Sequence, residues 1–346
     1  MPRINQPSRN RQAIHATQDR ALHLRTTTNL TLREIARECG YINPVTGEPR
    51  PSTAVEAIRS ARARSGQTAQ TTANTAVAQV ASRASVVGGI PSNRTFGFEA
   101  EFFGIRPQVA LNALAAVGIS ARYAGRLEQV SGWKLTTDGS VTSTGTGTSG
   151  LELVSPPLQG VAGLELAHKA VEAIASAGGK VDKSCGLHVH VGMDGLVGSQ
   201  LMKIVDLYAS NWSNIKKLVA NSRHSNYFCK ELTPSVRNRI EQVGLRNATT
   251  ASTTSSLRRE TSTIDRFYAV NLAAYSKHGT VEFRQHQGTL NGKKLNAWIC
   301  LMLAMVEQAT AGNTQGYADV NAMLGAMNLD EATAGYLNNR VAQLAN

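Results

Sequence analysis

The chain is 346 residues long, 42% hydrophobic and 17% charged, with a formal net charge of +12. That length and apolar content suffice for a sizeable core in one or two domains, and the absence of any run of ~18 apolar residues argues against a membrane span. A basic surface favours polyanions such as nucleotides or nucleic acid over neutral or cationic partners.

The opening MPRINQPSRNRQ has no apolar stretch behind its charges, so it is not expected to be a secretory leader. Residues 1–65 carry eleven arginines, no lysine and five acidic residues. Within them Thr31, Leu32, Arg33 and Glu34 form a capping-box pattern, in which a hydroxyl and a carboxylate three residues later satisfy amides at a helix start. Leu32, Ile35 and Ala36 would share one face of that helix, and Gly40 after Cys39 would end it. A loop over residues 41–50, with Pro44, Gly47 and Pro49, leads to Pro51, Ser52 and a second capping pattern from Thr53 to Glu56, followed by the stripe Val55, Ile58, Ala61. The segment resembles the small helix-turn-helix modules of phage and actinobacterial proteins, which implies a cytoplasmic bacterial or phage-encoded protein. On that resemblance Arg59, Arg62 and Arg64 become candidate contacts to the phosphates of nucleic acid. A helical hairpin that contacts protein, or a solvated basic appendage, fits the same residues. Residues 66–92 hold one charge, Arg83, amid Ala, Thr, Gln and Ser, and read as a linker.

Four segments then alternate strictly: 95–103 (TFGFEAEFF), 151–156 (LELVSP), 185–193 (CGLHVHVGM) and 280–288 (TVEFRQHQG). A period of two predicts extended strands with one face in a core. Phe96, Phe98, Ala100, Phe102, Leu151, Leu153, Leu187, Val189, Val191, Val281 and Phe283 occupy the apolar parity. Glu99, Glu101, Glu152, His188, His190, Glu282, Arg284 and His286 occupy the other. A face exposed only to water usually carries Thr, Ser, Lys and Gln. Carboxylates, imidazoles and a guanidinium predict instead one sheet face that binds divalent cations and phosphates.

Each motif is weak alone. The ExE of Glu99 and Glu101 suits hard cations such as Mg²⁺ or Mn²⁺, yet it also describes an exposed edge strand. His188 and His190 would make half of a zinc site, but no second Cys/His pair stands at finger spacing. Glu282 beside Arg284 reads as an intrastrand ion pair or as a ligand next to a phosphate clamp. The four cysteines, Cys39, Cys185, Cys229 and Cys300, lie far apart without a CxxC and predict reduced thiols in the cytoplasm. What carries weight is that the motifs recur at matching parity.

Taken together, the ExE strand, ELVSPPL, CGLHVHVG and GTVEFRQHQGTLN resemble the amidoligase family of carboxylate–amine ligases, in the glutamine synthetase superfamily. Residues 133–141 (WKLTTDGSV) and 266–272 (RFYAVNL) match as well, and the resemblance runs in family order over roughly residues 94 to 310. It implies ATP-dependent amide formation through an acyl phosphate, releasing ADP, with Mg²⁺ or Mn²⁺ as cofactor. By position, Glu101 and Glu152 match ligands of one metal, and Glu99, His188 and Glu282 ligands of a second. His190 and Arg284 match contacts to the transferred phosphate. Asp138, Arg266 and Asn271 match stretches near the substrate, Asp138 being the candidate base and the other two substrate contacts. Partners would be a small-molecule or peptide carboxylate and an amine, with no membrane and an open oligomeric state. The alternative is a nucleic-acid-binding protein that keeps a degenerate ligase fold as scaffold.

Residues 221–262 are polar and basic and read as a flap, with Arg223, Arg258 or Arg259 reaching substrate, or as a solvated loop. Helices are expected near 164–177, 200–219 and 295–311, with Met202, Trp212, Trp298 and Met302 in the core. The expected fold is α+β: a curved, mainly antiparallel sheet of glutamine-synthetase type backed by helices, after a small all-α module. The expected division is 1–65 (basic module), 66–92 (linker), 93–315 (catalytic domain) and 316–346 (helical tail).

Overall fold

The computed structural model describes residues 11–27, 31–43, 46–54, 57, 58, 60, 61, 90–142, 149–242 and 261–345. The chain divides into two compact units, Met1–Ala84 and Ser85–Asn346.

In the first unit, α1 (Arg11–Thr27) precedes α2 (Leu32–Glu38). The capping box forms as the sequence predicts: Thr31 Oγ1 accepts from the Glu34 amide at 3.3 Å, and Glu34 Oε2 accepts from the Thr31 amide at 2.7 Å. Gly40 follows at φ +71°, where a side chain would be strained. The loop beyond is closed by a bridge between Ile42 and Pro49, and the backbone is helical again at 51–54. Ala21, Ile35, Ala36, Ala54, Ala57 and Ile58 form the unit's small core. Arg20 faces Glu38 at 3.7 Å and Arg33 pairs with Glu48. Val55, Glu56, Arg59, Arg62 and Arg64 lie outside the described residues, as does most of the expected linker.

The second unit is built on a seven-stranded sheet: β1 (Phe96–Phe102), β2 (Ala121–Tyr123), β3 (Trp133–Thr137), β4 (Leu151–Val154), β5 (Gly186–Gly192), β6 (Val270–Asn271) and β7 (Thr280–Gln287). The order is β2-β3-β4-β1-β5-β7-β6, and every pairing is antiparallel except β2 with β3. The mainly antiparallel α+β expectation therefore holds. The helices are α3 (Pro107–Ala116), α4 (Gly160–Ser176), α5 (Gly198–Ser210), α6 (Trp212–Lys216), α7 (Pro234–Gln242), α8 (Ala273–His278), α9 (Gly292–Thr310), α10 (Val320–Ala326) and α11 (Glu331–Ala345). Among the described residues no helix is long and apolar enough to cross a membrane.

One face of the sheet is apolar because the strands alternate. Phe96, Phe98, Ala100 and Phe102 of β1, with Leu187, Val189 and Val191 of β5, join a single core with α4, α5 and α9. Met202, Trp212, Trp298 and Met302 are buried in it as expected. Helix α9 is buried almost all round, which explains its run WICLMLAMV. Val320, Met323, Leu324 and Leu337 of α10 and α11 belong to the same core.

Two expectations are corrected by local chemistry. The helix expected over 200–219 is broken at Asn211. Its Nδ2 donates to the carbonyls of Leu207 and Gln315, both at 3.0 Å, and its Oδ1 accepts from the Tyr317 amide. A side chain that bonds backbone in this way competes with the helix ladder. The second correction concerns β7. Leu187 faces His286 while Val189 faces Phe283, so one residue of β5 opposes two of β7. This β-bulge reverses parity beyond Arg284. His286, expected on the polar face, instead points into the core, with its ring centroid 4.9 Å from that of Trp298.

Candidate functional site

Alternation decides which residues share the polar face, and register decides which of them meet. On β1, Glu101 lies across from Glu152 of β4, and Glu99 across from His188 of β5. His190 of β5 lies across from Glu282 of β7. Residues far apart in sequence thus form a diagonal row over four adjacent strands.

At the β5–β7 end the row is bonded tightly. His188 Nδ1 lies 3.0 Å from Glu99 Oε2 and 3.4 Å from Glu282 Oε1, and its Nε2 lies 3.8 Å from Glu101 Oε1. His190 Nε2 faces Glu99 Oε1 at 3.5 Å, and its Nδ1 meets Thr280 Oγ1 at 3.0 Å. Arg284 pairs with Glu282 through Nη1 and donates from Nε to the Phe228 carbonyl at 3.1 Å, so its planar fork is fixed in orientation. Asn271 Nδ2 donates to Glu282 Oε2 at 2.5 Å, and its Oδ1 accepts from the Ala273 amide at 2.9 Å.

At the β1–β4 end carboxylates dominate. Glu101, Glu152 and Asp138 are all buried. Glu101 Oε2 accepts from the Gly186 amide at 2.6 Å. Asp138, just beyond β3, accepts from the Ser140 amide at 2.7 Å. Three sets of ligand atoms each lie within 4.8 Å of one another: Glu99, Glu152 and His188; Glu99, His190 and Glu282; and Glu101, Asp138 and Glu152.

Protonation follows this asymmetry. Burial acts to raise the Glu99 carboxyl, but hydrogen bonds and charge from His188 and His190 outweigh it and hold that group well below its ordinary value. Glu282 is likewise lowered, with Arg284 and the two histidines overcoming burial. The same carboxylates raise His190 and Arg284 against their burial. Glu152 goes the other way. Burial and repulsion from Glu99, Glu101 and Asp138 push it well above the usual carboxylate range, and Arg126 offsets only part of this.

The donor set fits a divalent cation. Most of its atoms are carboxylate oxygens, which suit Mg²⁺ or Mn²⁺, joined by imidazole nitrogens, which suit borderline transition metals, and Glu152 is crowded by like charges that a cation would neutralise. No thiolate joins the three sets. Cys185 is fully buried and its thiol is pushed up to about 11, chiefly by burial.

Of the residues expected from sequence, Glu99, Glu101, Glu152, His188, His190, Glu282 and Arg284 come together, and Asp138 and Asn271 join them. Arg266 stands apart from their contacts. It is exposed, with its guanidinium 4.9 Å from the Phe267 ring centroid in an aromatic group with Tyr227 and Phe228. Arg223, expected to reach substrate from a flap, is instead 2% exposed and bonded to the backbone of β7. Arg258 and Arg259 lie outside the described residues. Sequence reasoning missed Thr280, although it shares the parity of Glu282. It also missed His278, whose ring lies 6.0 Å from that of His190 but which sits on α8, outside any alternation.

A family described as "Putative amidoligase enzyme" matches residues 92–306. No curated protein matches the chain. Among solved structures, a protein described as a novel glutamine synthase homolog is similar at 14% identity and a TM-score of 0.34, over 72% of this chain and 64% of that one. The chain thus spans less than two thirds of that protein's length.

Proposed function

The chain belongs to the amidoligase family, and on that premise we propose that it is an ATP-dependent, ADP-forming carboxylate–amine ligase. The observation that carries this reading is the diagonal row of buried and half-buried carboxylates and histidines, with one arginine, on a single sheet face. In the first step an oxygen of the substrate carboxylate attacks the terminal phosphorus of ATP. The bond from that phosphorus to the bridging oxygen breaks, leaving ADP and an acyl phosphate. In the second step the amine nitrogen attacks the acyl carbon, phosphate departs, and the amine loses a proton. The sum is loss of one water between acid and amine.

Phosphoryl transfer depends on positioning and on neutralising charge more than on covalent help from the protein. Glu101 and Glu152 would hold one Mg²⁺ or Mn²⁺, and Glu99, His188 and Glu282 another. Bound there, the cations would neutralise and orient phosphate oxygens. Arg284, locked by Glu282 and Phe228, offers a fixed cation to the transferring group. His190, raised by its acidic neighbours, is suited to hydrogen-bond phosphate. Asp138 is the candidate base for the amine in the second step, in place of a ligand role. Arg266 is the candidate contact for a substrate's distal part, and Asn271 acts on the substrate end by fixing Glu282. Residues 93–315 carry this chemistry. Four cysteines without a disulfide fit a reducing cytoplasm, and the arginine-rich residues 1–65 are the candidate contact for nucleic acid.

The test is incubation with ATP, Mg²⁺ and pooled amino acids, peptides or nucleotides, read by mass spectrometry. A product lighter by one water than its two parents, formed with an equal amount of ADP, is expected. Absence of both ADP and condensate across the pools would favour a scaffold that has lost its reaction.

A further inference from the structure

Where β7 bulges against β5, His188 alone spans Arg284 and Gln285. A bulge takes backbone groups out of the ladder, and buried carbonyls need donors from elsewhere. The Arg284 amide finds the Ala269 carbonyl at 2.8 Å. The carbonyls of Arg284 and Gln285 both accept from one side chain, Arg223, whose Nη2 lies 2.8 Å from the first and whose Nε lies 3.3 Å from the second. Arg223 sits on the turn Asn221–Arg223, which is anchored to β7 a second time where the Ala220 amide donates to Gln287 Oε1 at 2.9 Å.

The same guanidinium borders the carboxylates. A Cβ at Gly186 would lie 3.2 Å from His188 Nε2, 3.3 Å from Arg223 Nη2 and 3.5 Å from Glu101 Oε2, so these three atoms surround one small space that glycine leaves open. Beyond the bulge the side chains diverge. Arg284 meets Glu282 on the polar face, whereas Gln285 accepts from the Tyr208 hydroxyl at 2.8 Å and the His286 ring lies tilted against Trp298 in the core.

We propose that Arg223 is a positioning residue: its forked bonds to the two bulge carbonyls fix the bulge, and the bulge aims Arg284 at the carboxylates while sending His286 into the core. What Arg284 does once aimed rests on the ligase reading. What Arg223 does rests on the β5–β7 geometry alone. Lysine keeps the charge but presents a point donor in place of a rigid fork, so Arg223→Lys cannot hold both carbonyls in the same way.

The experiment compares Arg223→Lys and Arg223→Met with the parent chain, each also carrying Trp133→Phe and Trp212→Phe. Because the sequence has three tryptophans, emission then reports Trp298 alone. Manganese binding by calorimetry and ADP release from Mg-ATP with the pooled acids and amines are measured on the same proteins. Arg223→Lys is expected to fold, with unchanged far-UV dichroism but a shifted Trp298 emission as His286 moves. Its kcat should fall by ~10²-fold, the usual loss when a catalytic group is misplaced by about 1 Å, while KM for ATP stays within about threefold. Manganese should still bind between Glu101 and Glu152, since those two residues lie on β1 and β4, away from the bulge. Arg223→Met, which removes the side-chain donor from both carbonyls, should lose more on both readouts.

A folded Arg223→Lys protein with unchanged emission, or with unchanged kcat, would overturn the proposal. So would unfolding of both variants at 10 °C, which would make Arg223 a requirement of the core and not of the bulge. If the parent chain itself makes no ADP, the ligase reading fails, and Trp298 emission still decides whether Arg223 holds the bulge.

Discussion

At the β5–β7 end of the site Glu99 and Glu282 face His188, His190 and Arg284, whereas at the β1–β4 end Glu152 faces Glu101 and Asp138. The two ends are a few residues apart on one sheet, yet their protonation runs in opposite directions. Built-in cations keep the first pair of carboxylates ionised against burial. No comparable cation serves Glu152, which burial and its neighbours push upward. One end is thus balanced by the chain itself, while the other is left for a charge brought in from outside. In the ligase reading that visitor is a divalent cation.

Removing charge should therefore have opposite consequences at the two ends. At the balanced end, Glu282→Ala leaves Arg284 buried without its partner. Losing one member of a buried pair costs roughly 3–5 kcal/mol, so denaturant unfolding should report a loss of that size. An unchanged midpoint would mean the pair contributes nothing to the balance.

Next in size is Arg284→Lys, which keeps the charge but loses the fork. An electrostatic donor aimed at a transferring group is typically worth ~10²–10³ in rate, so ADP formation should fall by that factor while nucleotide binding persists. If Arg284 only balances Glu282, ADP release will be untouched and only the melting temperature will drop.

At the unbalanced end, Glu152→Gln removes a crowded charge. In chelator the variant should melt about 2–4 °C above the parent, the shift that ~1 kcal/mol produces in a domain of this size, and it should lose the stabilisation that Mn²⁺ gives the parent. Melting below the parent in chelator would remove the contrast. The pH dependence sharpens it further. Glu99 and Glu282, lowered in the folded state, contribute stability above the unfolded carboxyl value of ~4.3, and that stability is lost as pH falls through their folded values. Glu152, raised in the folded state, contributes stability below ~4.3 that is lost as pH rises through its folded value. Without metal, the parent should thus weaken on the alkaline side where Glu152→Gln does not, as melting curves across pH in chelator would reveal.

The smallest expected effect concerns the arginine-rich first unit. Replacing Arg59, Arg62 and Arg64 together with Ala should weaken binding of the full chain to duplex DNA at low salt and reduce its salt slope by about 3, one per lost phosphate contact. A mobility shift that is absent in the parent would leave the basic unit a role other than nucleic acid.

Much of this site was legible in the sequence because strands β1, β4 and β5 keep a strict period of two. Glu99, Glu101, Glu152, His188 and His190 could be assigned to one face from parity alone, and Phe96, Phe98, Leu187 and Val189 to the core. The family resemblance, matched over residues 92–306, supplied what parity cannot, namely which reaction to expect. Legibility failed where the period itself breaks. His286 has the parity of Glu282 and Arg284, but the bulge opposite His188 reverses it, and nothing in TVEFRQHQG marks the extra residue. Arg223 was equally hidden. It lies in a polar stretch that reads as solvated, and only the tertiary fold brings it under β7. Asn211 gave no signal within a continuous apolar pattern, since its partners Gln315 and Tyr317 lie about a hundred residues away.

In the ligase reading a divalent cation completes the carboxylate face, and nucleotide binding requires it. Calorimetry of a non-hydrolysable ATP analogue, with Mg²⁺ and then with chelator, tests it most directly. Binding is expected with Mg²⁺ and none in chelator, because phosphates would otherwise meet Glu99, Glu101, Glu152 and Glu282 unscreened. Equal affinity under both conditions would contradict it.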